Sequence, residues 1–273
     1  MPVSALLRAS HPVPGVAVTL VAVVLAIAVG LEPGKVVLIG LVVGLDQLSV
    51  GWSNDWIDAD RDRAAGRNDK PVAQGAVSRE VVRGAAIAAL LVSIVLGFLL
   101  GAGSGAVHTV FVLSAWAYNA GLKRTAVSVL PYLVAFGSLP LIVTLAADPP
   151  ASAAWWAVVA GAGLGFTAHL ANVLPDLDDD ARTGVRGFPH RLGPRVSGVA
   201  AFGALATVGL LIAIAVPAVA TAVCALLIIV IAGFGVRLVI TAPPRRTLFV
   251  LVLAAALLIV AALAFSGAAI VAR

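Results

Sequence analysis

Charge is scarce in this chain. Only 11% of its 273 residues are Asp, Glu, Lys or Arg, against 61% hydrophobic, and the mean hydropathy is +1.09. So little charge excludes an ordinary water-soluble domain. Cysteine is nearly absent: Cys224 stands alone, in the middle of an apolar run, so no internal disulfide can form and the residue reads as packing. The apolar runs are continuous rather than alternating, which excludes a β-barrel of the outer-membrane type. No stripe of interleaved basic and aromatic residues marks a nucleic-acid surface. The first apolar run is followed by Glu32-Pro33-Gly34 rather than a small-residue cleavage site, so it is expected to remain in the mature protein.

What the chain does contain is a series of apolar runs near the ~20 residues that span a bilayer core. They fall at about 13 to 30, 35 to 53, 80 to 100, 104 to 122, 126 to 147, 152 to 174, 195 to 215, 217 to 239 and 248 to 270. The expectation is an all-α, polytopic transmembrane helical bundle of nine helices, forming one integral-membrane domain over 1–273. Most connections are short and imply antiparallel neighbours. Two are long and polar, about 54–79 and 175–194.

The basic residues orient the bundle. Arg8, the group from Arg61 to Arg79, Lys123 and Arg124, the group from Arg182 to Arg195, and Arg245 and Arg246 all precede the first span or lie in alternate loops. The other side offers only Lys35 and Arg273. By the positive-inside rule the N-terminus and both long loops are cytoplasmic, in a multi-pass protein of the cell membrane. The net charge of +5 then reflects topology and affinity for anionic lipid.

Eight of the thirteen acids sit in two short clusters, Asn54-Asp55-Trp56-Ile57-Asp58-Ala59-Asp60-Arg61-Asp62 and Asn172-Val173-Leu174-Pro175-Asp176-Leu177-Asp178-Asp179-Asp180. Each ends an apolar run, where concentrated negative charge is costly unless a cation offsets it. On a helix Asp55, Asp58 and Asp62 share one face with Asn54 at its edge, while Asp60 points elsewhere. In the second cluster Asn172, Asp176 and Asp180 share a face, and Asp178 and Asp179 turn away. One acid-rich turn beside a membrane helix is ordinarily a solvated, salt-bridged loop. Two on the same side favour a metal site. Carboxylate and amide oxygens without His or Cys suit a hard cation such as Mg²⁺, which binds one or two carboxylates together with phosphate oxygens. Two facing sets could hold a diphosphate, with Arg67, Lys70, Lys123, Arg124 and Arg182 adding positive charge as it departs.

The pattern Asn54-Asp55-x-x-Asp58-x-x-x-Asp62, followed by Lys70-Pro71-x-x-x-Gly75-x-Val77-Ser78, Tyr118-Asn119-x-x-Leu122-Lys123-Arg124 and Asn172-x-x-x-Asp176-x-x-x-Asp180-x-Arg182-x-Gly184, resembles the UbiA superfamily of intramembrane prenyltransferases, in particular its bacterial, actinobacterial-type members. The resemblance covers most of the chain. It implies a helical bundle around a central cavity open to lipid, with cytoplasmic cap loops. It also implies two Mg²⁺ ions carried by Asp55, Asp58, Asp62, Asp176 and Asp180, with Asn54 and Asn172 assisting. The implied reaction moves a prenyl group from an isoprenyl diphosphate to an acceptor, aromatic or lipid-like, inside the membrane. Lys123 and Arg182 match basic positions that contact diphosphate. Lys70-Pro71 stands where the family often has Arg-Pro, so the charge is kept but the bidentate fork is not. The Met-x-Arg-Thr pattern of haem-farnesylating members is missing.

Four further residues are candidate cavity groups: Asp46, Trp52, Tyr118 and His169. Asp46 lies within span 2 on the face of Asn54, and could orient an acceptor or be a buried, paired acid that stabilises the bundle. His169, one turn before Asn172, could hydrogen-bond an acceptor, act as base or be satisfied within the bundle. Trp52 and Trp56 could stabilise a cation through the ring face or anchor the helix at the interface. Interface anchoring is the expectation for Trp155 and Trp156, and His108 is read as structural. Two alternatives remain: a UbiA-type terpene cyclase acting on the prenyl diphosphate alone, and a cation-binding membrane transporter.

Overall fold

The computed structural model describes residues 3–67, 70–241 and 245–272, without the side chains of Asp179, Arg245, Arg246 and Phe249. The expectations for Asp179, Arg245, Arg246 and Arg273 therefore lie outside the described residues. Among the described residues the regular structure is helical, apart from one isolated antiparallel bridge between Ala153 and Val271. The helices are α1 (Val3–Ala9), α2 (Pro12–Val29), α3 (Pro33–Ala64), α4 (Arg79–Leu99), α5 (Ala102–Ala120), α6 (Leu130–Leu145), α7 (Trp155–Val173), α8 (Leu177–Arg182), α9 (Phe188–Ala215), α10 (Val219–Thr241) and α11 (Arg245–Ser266).

Among the described residues seven segments are long and apolar enough to cross a membrane: α2, α3, α4, Trp155–Asp176, α9, α10 and Val250–Ile270. The other two expected spans form α5, whose apolar character is diluted by Ser104, His108, Ser114 and Asn119, and α6, which is apolar but has only 16 residues. The protein is a multi-pass membrane protein, and side chains such as Leu99, Ile214, Leu226 and Phe265 point outward from the bundle, where lipid takes the place of water.

Local chemistry sets the ends. Pro12 and Pro33 open their helices at the first turn, where no N–H is needed. Gly30, at φ 83°, closes α2 with its N–H on the Ile27 carbonyl. Ser78 caps α4 by accepting from the Val81 N–H at 3.3 Å. Helices α6 and α7 approach closely, because a Cβ at Gly165 would stand 2.9 Å from the Phe136 Cβ and would also run into the Tyr132 carbonyl.

The structure departs from several expectations. The first polar stretch is not a loop from residue 54: α3 continues to Ala64, its 32 residues spanning ~48 Å at 1.5 Å per residue. Three acids of that extension, Asp55, Asp58 and Asp62, are buried against basic side chains, which offsets the cost of placing them there. The second stretch is also largely helical, through a 3₁₀ turn (Leu174–Asp176), α8 and the first turn of α9. Its acids do not ride one continuous helix, because Pro175 has no N–H to continue α7. Span 7 begins at Pro194, close to the expected 195, because Gly193 (φ 78°) breaks Phe188–Ala215 into a short helix and the long one that follows. Trp156 is buried and only Trp155 is exposed, so the paired anchor reduces to one.

Candidate functional site

The extension of α3 places Asp55, Asp58 and Asp62 on its inner face, all buried, while Asp60 is exposed on the far side and pairs with Arg63 and Arg79. Each inner acid is met by basic side chains, from remote parts of the chain for Asp55 and Asp58 and from the same helix for Asp62. Asp55 Oδ1 accepts from Lys70 Nζ at 2.6 Å and lies 2.7 Å from His11 Nε2. Asp58 Oδ2 accepts from Arg61 at 3.0 Å, from Asn54 Nδ2 at 3.2 Å and from Lys123 Nζ. Asp62 Oδ1 lies 3.5 Å from Arg61. The second oxygens behave differently: Asp55 Oδ2 and Asp58 Oδ1 are buried without a hydrogen-bond partner. Burying a carboxylate oxygen unpaired is costly, and two of them three residues apart on one helix face form an oxygen donor pair suited to a hard divalent cation. Among the described residues, no three His, Cys, Asp or Glu side chains stand together as a metal cluster.

Asn54 is held in turn. Its Nδ2 lies 3.3 Å from Asn119 Oδ1, and Asn119 donates to the Val50 carbonyl at 2.9 Å and to Ser53 Oγ at 2.8 Å. Lys123 follows α5 on a 3₁₀ turn (Leu122–Arg124) and is buried. Burial pushes its ammonium pKa down, and the attraction of Asp58 opposes that.

The second cluster lies within electrostatic reach of two cations of the first. Asn172 and Asp176 are exposed and Asp180 is half-buried on α8. Burial raises the Asp180 carboxyl above the usual range, the positive fields of Arg61 and Lys123 pull it down, and Asp176 pushes it up. The two cations bound to Asp58 therefore also act on Asp180. Arg124 and Arg182 are exposed at the same end, and the Arg67 N–H donates to the Asp62 carbonyl at 3.0 Å.

Beside these groups, Tyr118 and Tyr132 meet edge to face at 5.2 Å between centroids, and His169 lies 5.7 Å and 4.8 Å from them. Asn172 Nδ2 is 3.4 Å from Tyr132 Oη, which ties the ring cluster to the second acidic motif. Ser128 Oγ accepts from the Phe188 N–H at 2.8 Å and lies 3.0 Å from His169 Nε2; with one hydrogen and two lone pairs, the hydroxyl serves either ring tautomer. The other ring nitrogen, Nδ1, is buried without a partner and is left to meet a ligand.

The remaining candidates have other partners. Asp46 is fully buried 2.9 Å from His108 Nε2, which is equally buried, and accepts from Gln47 at 2.9 Å. Trp52 donates its indole N–H to the Leu6 carbonyl at 2.8 Å. Trp56 packs against Trp116, with the Arg83 guanidinium 5.4 Å from its ring centroid. Sequence reasoning missed His11, Arg61 and Ser128. Arg61 had a signal, its spacing of three residues from Asp58 on one helix. His11 and Ser128 had none, since their partners are remote in the chain.

Residues 15–246 match the model of the UbiA prenyltransferase family. The 33 kDa chain of bacteriochlorophyll synthase from Cereibacter sphaeroides is 31% identical over 190 residues, which is 63% of this chain and 60% of that protein, so the chain spans less than two thirds of this relative. Two solved structures share the fold. A UbiA homolog from Archaeoglobus fulgidus bound to DMAPP and Mg²⁺ superposes with a TM-score of 0.73 at 17% identity, over 97% of this chain and 99% of its own. The apo structure of a UbiA homolog from Aeropyrum pernix K1 gives 0.68 at 22% identity, over 93% and 95%.

Proposed function

We propose, given that this chain belongs to the UbiA prenyltransferase family, that it transfers a prenyl group from an isoprenyl diphosphate to an oxygen-bearing aromatic or lipid-like acceptor inside the membrane, with Mg²⁺ required. The carrying observation is the pair of buried, unpartnered oxygens on Asp55 and Asp58, each on a carboxylate whose other oxygen is held by basic side chains. The donor set is all oxygen, as a hard cation prefers, and the Archaeoglobus homolog was solved with Mg²⁺ and a prenyl diphosphate. In this reading Asp55, Asp58, Asp62, Asp176 and Asp180 hold two ions, and Asn54 and Asn172 orient them. When bound, the metal supplies neutralisation of the diphosphate charge and polarisation of its bridging oxygen.

The chain's own residues carry the rest. Lys70, Lys123, Arg67, Arg124 and Arg182 bind the diphosphate oxygens and stabilise negative charge as the allylic C–O bond breaks and the electron pair leaves with diphosphate. Tyr118, Tyr132 and His169 line the space beside it, where apolar ring surface keeps water from the allylic cation. His169, in the tautomer with Nδ1–H as donor, positions an oxygen of the acceptor, whose nucleophilic atom bonds to the allylic carbon and whose displaced proton passes to the departing diphosphate. The basic loops support a cell-membrane protein with its N-terminus and site on the cytoplasmic side, formed as one domain over 1–273.

The test uses the purified full chain in detergent with geranyl diphosphate. Diphosphate release should require Mg²⁺ and vanish with a chelator, and Asp58→Ala or Asp176→Ala should abolish it while the protein stays folded. Activity retained in either variant would refute the assignment. A hydrocarbon or terpene alcohol formed from the diphosphate alone would favour cyclisation, and mass spectrometry of co-purifying lipids would identify the acceptor.

A further inference from the structure

The N-terminal segment has no part in the reaction as described above, yet it closes onto the first acidic motif at three points. The Leu6 carbonyl accepts from Trp52 Nε1 at 2.8 Å. Ser10 packs so tightly on α3 that any Cβ at Gly51 would collide with its carbonyl. His11 takes a left-handed backbone conformation, φ 52° and ψ 60°, which is uncommon for a residue other than glycine and needs surrounding contacts to hold it. Its contacts are Asp55 Oδ1 and Lys70 Nζ, each 2.7 Å from Nε2, and these two are themselves 2.6 Å apart.

We infer that His11 is a positioning residue for the metal site: it closes a three-membered cluster with Asp55 and Lys70 that fixes the Asp55 carboxylate with Oδ2 left for the cation. Either neutral tautomer serves, since Nε2–H donates to Asp55 and a bare Nε2 accepts from Lys70. The logic is that of an outer-shell group, which fixes the rotamer of a ligand rather than binding metal. Two features separate this from simple packing. The ring is more than a third exposed, so it fills little core volume, and its nitrogen rather than its ring face makes the contact. The helix before it, α1, leaves Val3 and Leu7 on the outside and Ala5 and Ala9 buried, an arrangement that brings the segment back over α3.

The inference rests on the proposed metal site, and the experiment separates the two. Binding of geranyl S-thiolodiphosphate, which resists ionisation, is measured calorimetrically on the full chain across a Mg²⁺ series, with thermal unfolding followed in parallel. His11→Ala should raise the Mg²⁺ concentration for half-maximal binding about 10- to 100-fold, and His11→Gln, whose amide reaches the Nε2 position, should return it to within about threefold of wild type. If the alanine variant does not fold, His11→Phe keeps the ring volume, removes both nitrogens and should show the same rise. Wild-type Mg²⁺ dependence in the alanine or phenylalanine variant, or no rescue by glutamine, overturns the role of His11 alone. A wild-type protein that binds the analogue without Mg²⁺ overturns the metal site and this inference together.

Discussion

Lys123 and Asp58 offer the sharpest test of the site, because the same contact serves stability and chemistry and a double-mutant cycle separates them. Asp58→Asn keeps the shape and removes the charge. Arg61 then retains Asp62 at 3.5 Å, but Lys123 loses its carboxylate inside the protein. Orphaning one partner of a buried pair costs about 3–5 kcal/mol. Lys123→Met leaves Asp58 still holding Arg61 at 3.0 Å and Asn54 at 3.2 Å, so its cost falls at or below the lower end of that range. The double variant has neither charge to strand and should recover most of the lost stability. Turnover behaves otherwise. Losing one preorganised donor at the departing diphosphate costs about 10²–10³ in rate, or about 2.7–4 kcal/mol. The double variant should therefore unfold near the wild-type temperature and remain inactive. The assays are thermal unfolding in detergent and Mg²⁺-dependent diphosphate release from geranyl diphosphate. A double variant that regains turnover together with stability would show that the pair only holds the helices, and would refute the site as argued.

Further outcomes follow from the same structure. With ¹⁵N-labelled histidine, the His169 signals, assigned by loss in His169→Asn, should show the Nδ1–H tautomer in wild type. Ser128→Ala should release it toward Nε2–H, and an Nε2–H pattern in wild type would contradict the donor role. Asp46→Ala should destabilise the bundle by about 1–3 kcal/mol by leaving the buried His108 Nε2 without its partner, whereas replacing both with apolar residues should recover much of the loss, read as unfolding temperature. Gly161→Ala should force α6 and α7 apart, because its Cβ would meet the Phe136 carbonyl, costing about 1–3 kcal/mol in the same assay and loosening the Tyr132–His169 contact.

The acidic faces were legible because their partners are local. Asp55, Asp58 and Asp62 repeat at helical spacing, and the structure buries all three on one side while Asp60 points outward, as the spacing requires. The same local rule was too generous to the second motif, where a 3₁₀ turn at Pro175 separates the end of α7 from the short α8. The ambiguous Asp46 illustrates the limit. An acid inside a span reads equally as functional or structural until its neighbour is known, and the neighbour, His108, is 62 residues away.

Composition and periodicity alone determined the all-helical membrane class and marked out the two acid-rich clusters, because a bilayer accepts only long apolar helices and grouped carboxylates stand out at their ends. Tertiary structure decided which oxygen of each carboxylate is tied to a cation and which is left without a partner, which nitrogen of His169 is left unpartnered, and that His11 closes against Asp55. Those outcomes depend on contacts between residues tens of positions apart, and hydrogen bonding is directional, so they exist only once the helices have packed.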